Sequence, residues 1–231
     1  MTIRYCASPN FGPRREGRVD ILLLHYTGMA DAAAALDRLC DPTAEVSCHY
    51  LIDEAGSVCQ LVDETGRAWH AGVSFWAGTR DVNSRSIGIE LVNPGHDLGY
   101  RPFPARQMAA LAELAHGILG RHPIPAHRVL GHADVAPGRK RDPGELFDWA
   151  WLAGQGIGHW PDPASEPVPI EPWTGLRRIG YAVEAGPDTV AAFQRHWWPT
   201  RVDGILDAGT IRRIAQVADR VPLTGDPPGR T

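Results

Sequence analysis

The chain has 231 residues, 43% of them apolar, and a formal net charge of -4. That length suits one ordinary domain with a small companion, or a single large one. The slight acidity lacks the basic footprint that a phosphate backbone demands, and three adjacent cations (Arg139, Lys140 and Arg141) are too few for a nucleic-acid tract.

Residues 1–18 are polar and broken early by Pro9, Gly12 and Pro13. They lack the apolar run of ~7–15 residues that marks a secretory signal. The longest aliphatic run, Ile21 to Leu24, is far too short to span a bilayer. Cys6, Cys40, Cys48 and Cys59 are too sparse for a disulfide framework and lack the paired C-x2-C spacing of zinc modules, so they read as free thiols. A reduced, cytoplasmic chain is the expectation.

In chain order, "VDILLLHYTG" (19–28) is a continuous apolar run closing on a polar pair and a glycine. It predicts a strand buried on both faces, with His25 at its C-terminal end. "DAAAALDRLC" (31–40) predicts a helix capped by Asp31. "VSCHYLID" and "GSVCQLVD", joined through Glu54, Ala55 and Gly56, predict a hairpin. Phe75 and Trp76 form an aromatic pair amid polar residues and read as the rim of a groove. "SIGIELVN" (86–93) predicts another central strand. Residues 104–120 predict a helix opened by Pro104 and closed by Gly120, with Met108, Leu111, Ala115 and Ile118 at helical spacing. "HRVLGH" (127–132) predicts a short strand ending at His132, and "GELFDWAWL" (144–152) a closing helix. The sum is an α/β fold: a central mixed β-sheet flanked by helices.

Composition then shifts. Five prolines fall between Pro161 and Pro172. Proline removes backbone donors and stiffens the chain, so 161–172 reads as an extended linker between a domain at 1–160 and a smaller one at 173–231. In the latter, Val190, Phe193 and Trp197 fall at helical spacing, Asp203–Gly204 makes a turn and Thr210 is placed to cap a last helix. This predicts a small three-helix bundle.

Several residues stand out chemically. His25 and His132 each end a predicted strand. Glu90 lies inside one, among Ile87, Ile89, Leu91 and Val92, where a carboxylate is costly unless paired or used. Asp142 follows His132 by ten positions, beyond a Pro137–Gly138 turn. Two imidazoles and a carboxylate can make a three-ligand zinc site that leaves a fourth position for water. The chain has ten histidines, however, and these ligands are distant in sequence, so spacing alone does not single out His25, His132 and Asp142 from core or surface roles. Asp134 reads as a turn cap. Arg139 and Arg141 read equally well as contacts to acidic peptide groups or as a solvated surface.

Recognition adds to this. "LLLHYTG", "SIGIELVN" and "GHADVAPGRKRDPG", with "CHYLIDEAGSVCQLVDETGRAWHAG" in order between them, resemble the zinc N-acetylmuramoyl-L-alanine amidases of the AmpD/AmiD type, the amidase_2 family, over residues 20–150. The resemblance implies a fold related to phage T7 lysozyme and the peptidoglycan-recognition proteins. It implies Zn2+ held by His25, His132 and Asp142, with Glu90 as catalytic acid/base and Lys140 as the assisting cation. The implied reaction is hydrolysis of the amide between N-acetylmuramic acid and L-alanine in peptidoglycan or (anhydro-)muropeptides, during cell-wall turnover. "RAWHAG" puts Trp69 and His70 in a segment that lines the cleft in similar amidases; substrate contact and plain packing both stand for them. A noncatalytic peptidoglycan-binding protein is the alternative, and the retained Glu90 and Lys140 weigh against it.

The C-terminal segment resembles the peptidoglycan-binding domain type 1 through "AFQ" and "DGILDAGT". The expected partner is therefore peptidoglycan or a muropeptide, with a monomer as the default state. A wall-binding segment argues for a periplasmic or wall-associated protein, against the cytoplasmic expectation drawn from the N-terminus.

Overall fold

The computed structural model describes residues 2–15 and 18–222, so residues 223–231 of the predicted C-terminal segment lie outside the description. The first half of the chain forms β1 (Ile3–Tyr5), β2 (Phe11–Pro13), β3 (Ile21–Tyr26), α1 (Ala32–Cys40), β4 (Tyr50–Ile52), β5 (Val58–Gln60), β6 (Gly66–Ala68), α2 (Val82–Arg85), β7 (Ser86–Leu91) and α3 (Gly95–Leu98). The second half forms α4 (Ala105–Arg121), β8 (Val129–Gly131), α5 (His132–Val135), α6 (Trp149–Gly154), α7 (Pro172–Ile179), α8 (Pro187–Trp197) and α9 (Ala208–Ala218).

Among the described residues, six strands make one sheet in the order β1-β5-β4-β7-β3-β8. The predicted hairpin is the antiparallel β4–β5 pair. β4, β7, β3 and β8 run parallel to one another, so the sheet is mixed. Strand alternation divides its two faces. Leu22 and Leu24 of β3 join Ile87, Ile89 and Leu91 of β7 under Met108, Leu111, Ala115 and Ile118 of α4. Ile21 and Leu23, with Leu130 of β8, face the other way into a second cluster with Leu176, Ile179, Val190, Phe193 and Ile214. α1 is capped by Asp31, which accepts from Ala34 N. It packs Ala35 and Leu39 with Leu51, Cys59 and Leu61. Leu51 is the register partner of Glu90, so α1 and the C-terminal helices cover two ends of the same face. Between them β7 presents Ser86, Gly88 and Glu90, none of which is apolar.

The C-terminal helices thus share an apolar cluster with β3 and β8. The proline-rich stretch is tied to α9: Arg213 donates to Pro161 O, and Gln216 to Asp162 O and Ser165 O. Asp134 is the polar hinge of this contact. Its Oδ2 accepts from Gly131 N at 2.7 Å, as a turn cap does. The same buried carboxylate accepts from the Tyr181 hydroxyl and from His196 Nδ1.

Some elements differ from expectation. α6 begins only at Trp149, where Asp148 caps it; upstream, Leu146 N is taken by the Tyr100 hydroxyl. α9 is capped by Asp207, which accepts from Thr210 N, while Thr210 itself is buried inside the helix. Trp76 is not on a rim: its indole is 1% exposed and packs edge-to-face on Tyr181. The strands β1, β2 and β6 went unforeseen because, unlike the equally short β4, β5 and β8, none lies in a longer apolar run. The four cysteines are free. Among the described residues, no helix is long and apolar enough to cross a membrane.

Replacing Tyr181 by Phe removes one donor from the buried Asp134 carboxylate. The expected loss is about 1–3 kcal/mol, seen as a lower urea midpoint with an unchanged slope. An unmoved midpoint would show that this hydroxyl does not help dock the C-terminal helices.

Candidate active site

Strand register builds most of the site. β3 and β7 pair so that His25 stands beside Glu90, and β3 and β8 pair so that Leu24 stands beside Gly131. His132 follows Gly131 as the first residue of α5. His25, Glu90 and His132 therefore sit together at the carboxyl ends of parallel strands, where open α/β sheets hold ligands. Asp142 arrives by a different route. The chain turns at Pro137–Gly138, where Gly138 adopts a φ of +75°, and Ala133 N donates to Asp142 O at 2.9 Å.

The result is a tight triangle. His25 Nδ1 lies 2.9 Å from His132 Nδ1, and each lies 3.0 Å from Asp142 Oδ2. All three residues are buried. Burial, and then the neighbouring His132, lowers the His25 pKa to about 4. The two histidines hold the Asp142 carboxyl well below the usual carboxylate range, against the opposing effect of its burial. Lone-pair donors crowded this closely need a shared cation or shared protons. Tetrahedral coordination by nitrogen and oxygen at roughly 2.0–2.1 Å spaces the donors about 3.3 Å apart, close to what is seen, and this two-imidazole, one-carboxylate set suits zinc with one position left open. The residues fit such an ion.

Glu90 lines the same cleft, and its Oε2 is buried with no hydrogen-bond partner among the described residues. Its pKa is pushed well above the ordinary value, by burial first and by Asp142 second, while Lys140 pulls it back. Its strand neighbours Ile87, Ile89 and Leu91 do not surround it. Those side chains point to the α4 face instead, so the cleft floor and Asp142 are the cause. Lys140 lines the cleft, close enough to act electrostatically on both Glu90 and His25.

The cleft encloses about 390 Å³ and is bounded also by Tyr26, Met29, Arg38 and Trp69, a size proper to small-ligand sites. Trp69 is half-buried on its wall. His70, grouped with Trp69 as a candidate substrate contact, also borders the cleft, and its ring packs against His25. His70 Nδ1 is 3.0 Å from His25 Nε2, its Nε2 is 3.4 Å from Ser86 Oγ, and the residue is 8% exposed. Two further residues acquire roles that their sequence context did not signal. Arg139 donates to Ala71 O and Val73 O, clasping the 69–73 loop to the loop that carries Asp142. Tyr26 Oη meets His96 Nδ1 at 2.8 Å, and His96 Nε2 meets Glu145 at 3.2 Å.

A donor triangle that could hold a metal ion, a buried carboxylate oxygen and a lysine thus share one open cleft. Residues 15–145 match the Amidase_2 family, described as N-acetylmuramoyl-L-alanine amidase. The chain is 37% identical over 223 residues to N-acetylmuramoyl-L-alanine amidase AmiD of Escherichia coli (strain K12), covering 84% of this chain and 80% of that one. It is similar to the solved complex of E. coli AmiD with anhydro-N-acetylmuramic acid-L-Ala-D-gamma-Glu-L-Lys, with a TM-score of 0.77, 36% identity and coverage of 90% and 91%. It is also similar to AmpDh3 of Pseudomonas aeruginosa solved with anhydromuramic pentapeptide, with a TM-score of 0.81, 33% identity and coverage of 94% and 96%. The chain belongs to the N-acetylmuramoyl-L-alanine amidase family and is an enzyme of that class.

The buried imidazoles set a pH dependence for the metal-free protein. A histidine with a folded pKa near 4, as His25 has, stabilises fully above its unfolded value of about 6.5 and loses that contribution as pH falls toward 4. His49, lowered to about 3, and His70, held well below its ordinary value by burial first and then by His25, act in the same direction. Glu90 acts oppositely: its raised pKa favours the folded state below about 4.3, and that contribution is lost as pH rises. After chelation, Tm should fall between pH 6.5 and 4, and Glu90→Gln should melt higher than the parent at pH 8. A flat Tm over that range in the chelated Glu90→Gln protein, where the opposing carboxyl is gone, would contradict the neutral, buried imidazoles.

Proposed function

We propose that the chain is a zinc amidase that hydrolyses the amide between the lactyl group of N-acetylmuramic acid and L-alanine, with anhydro-muropeptides as its substrate class. The observation that carries this reading is the convergence of His25 Nδ1, His132 Nδ1 and Asp142 Oδ2 beside a buried, unpartnered Glu90 oxygen. The substrate class is supported by the similar enzymes solved with anhydromuramic peptides.

His25, His132 and Asp142 would hold the zinc, which would supply Lewis acidity and would lower the pKa of water from about 15.7 to roughly 7. Glu90 takes the proton from the attacking water as that water adds to the lactyl carbonyl carbon. Negative charge grows on the carbonyl oxygen, and the Lys140 ammonium stabilises it in a partly water-excluded cleft. Glu90 then returns the proton to the alanine nitrogen, which leaves as a free amine. The raised Glu90 pKa suits this double role, because a carboxyl at its ordinary value is a poor acid near neutrality. Trp69, on the cleft wall, offers an aromatic surface to the substrate.

The test is an anhydro-muropeptide digest followed by mass spectrometry. Free stem peptide and anhydro-N-acetylmuramic acid are the expected products, lost on chelation and restored by zinc. Glu90→Gln should keep its zinc while kcat drops about 10²–10⁴-fold. If Glu90→Gln turns over as fast as the parent, Glu90 does not carry the proton.

A further inference from the structure

The metal-site reading leaves one question open: what holds the two imidazoles at the angle that makes their Nδ1 atoms converge. Each ring has a second nitrogen, and the structure shows where each one goes. His25 Nδ1 faces the donor triangle, so its proton belongs on Nε2, which meets His70 Nδ1 at 3.0 Å. His70 Nδ1 must then accept, which places the His70 proton on Nε2, 3.4 Å from Ser86 Oγ. Ser86 in turn donates its hydroxyl proton to Val82 O at 2.7 Å. The chain has a single polarity from His25 to a backbone carbonyl, with each nitrogen in a defined role. His132 is served by the next residue along: its Nε2 lies 3.0 Å from Ala71 O.

The segment that receives both rings is itself fixed. His70 N and Ala71 N both donate to Asn83 Oδ1, at 3.1 and 2.8 Å. Arg139 donates to Ala71 O at 2.6 Å from the opposite side. Room for the His70 ring comes from Gly88. A Cβ at residue 88 would lie 2.5 Å from His70 Nδ1, so the small residue in the middle of "SIGIE" is the seat of this imidazole.

We propose that His70 is a positioning residue for the metal: its Nδ1 orients His25 and fixes its tautomer, and Gly88 exists to admit it. This rests on the metal-site reading. A histidine ligand's outer hydrogen-bond partner typically accounts for 10–100-fold in metal affinity.

The experiment measures zinc affinity of the full chain by competition with a chromophoric chelator, and the visible spectrum of its cobalt(II) form. His70→Leu keeps bulk but removes the acceptor, and should weaken zinc binding about 10–100-fold and alter the cobalt bands. His70→Asn puts an amide oxygen where Nδ1 stood and should recover most of that affinity. Gly88→Ala, which leaves His70 in the sequence but displaces its ring, should reproduce the leucine defect. If His70→Leu fails to fold, the asparagine and Gly88→Ala proteins carry the comparison. Equal affinity in parent and His70→Leu, or equal losses in the leucine and asparagine variants, would overturn the proposal. A parent that takes up no zinc would instead overturn the metal-site reading beneath it.

Discussion

Three lone-pair donors, His25 Nδ1, His132 Nδ1 and Asp142 Oδ2, stand within 3.0 Å of one another in a buried pocket. Uncompensated, that crowding is unfavourable, and the surrounding structure is arranged to impose it. Parallel pairing of β3 with β7 and β8 sets two of the donors and Glu90 at one sheet edge. The turn at Gly138 and the Ala133–Asp142 backbone bond bring in the third. The 69–73 loop braces the imidazoles from behind, and Arg139 braces the loop.

The same logic explains why one face of β7 lacks apolar side chains. Ile87, Ile89 and Leu91 bury the strand against α4, while Ser86 and Gly88 face the His70 ring and Glu90 faces the cleft. The floor of the cleft is therefore the gap between two apolar covers, α1 on one side and the C-terminal helices on the other. Glu90 carries a cost in stability there, since its buried Oε2 has no hydrogen-bond partner among the described residues.

Much of the fold was legible. The run from Ile21 to Leu24, the alternation of "SIGIEL" and the helical spacing from Met108 to Ile118 each carried a strong period, and those elements formed. The short strands β1, β2 and β6 carried none. The fusion of the C-terminal helices to the sheet was also hidden, because it depends on Asp134 meeting Tyr181 and His196 from distant parts of the chain. For the site, strand ends marked His25 and His132, but only family resemblance joined them to Asp142, since convergence is a property of three-dimensional register. His70 shows the limit most clearly. Its neighbours in sequence mark a cleft segment, which it does border, yet nothing beside it in sequence signals that its Nδ1 meets His25 Nε2; the trace is a glycine eighteen positions away.

The most direct measurement is anomalous diffraction at the zinc edge from crystals of the zinc-loaded protein. The account predicts one peak bonded to His25 Nδ1, His132 Nδ1 and Asp142 Oδ2 at about 2.0–2.1 Å, with the Glu90 carboxyl facing the open position without ligating. A peak coordinated by Glu90, one lying on other residues, or no bound zinc with the three side chains turned apart would contradict it.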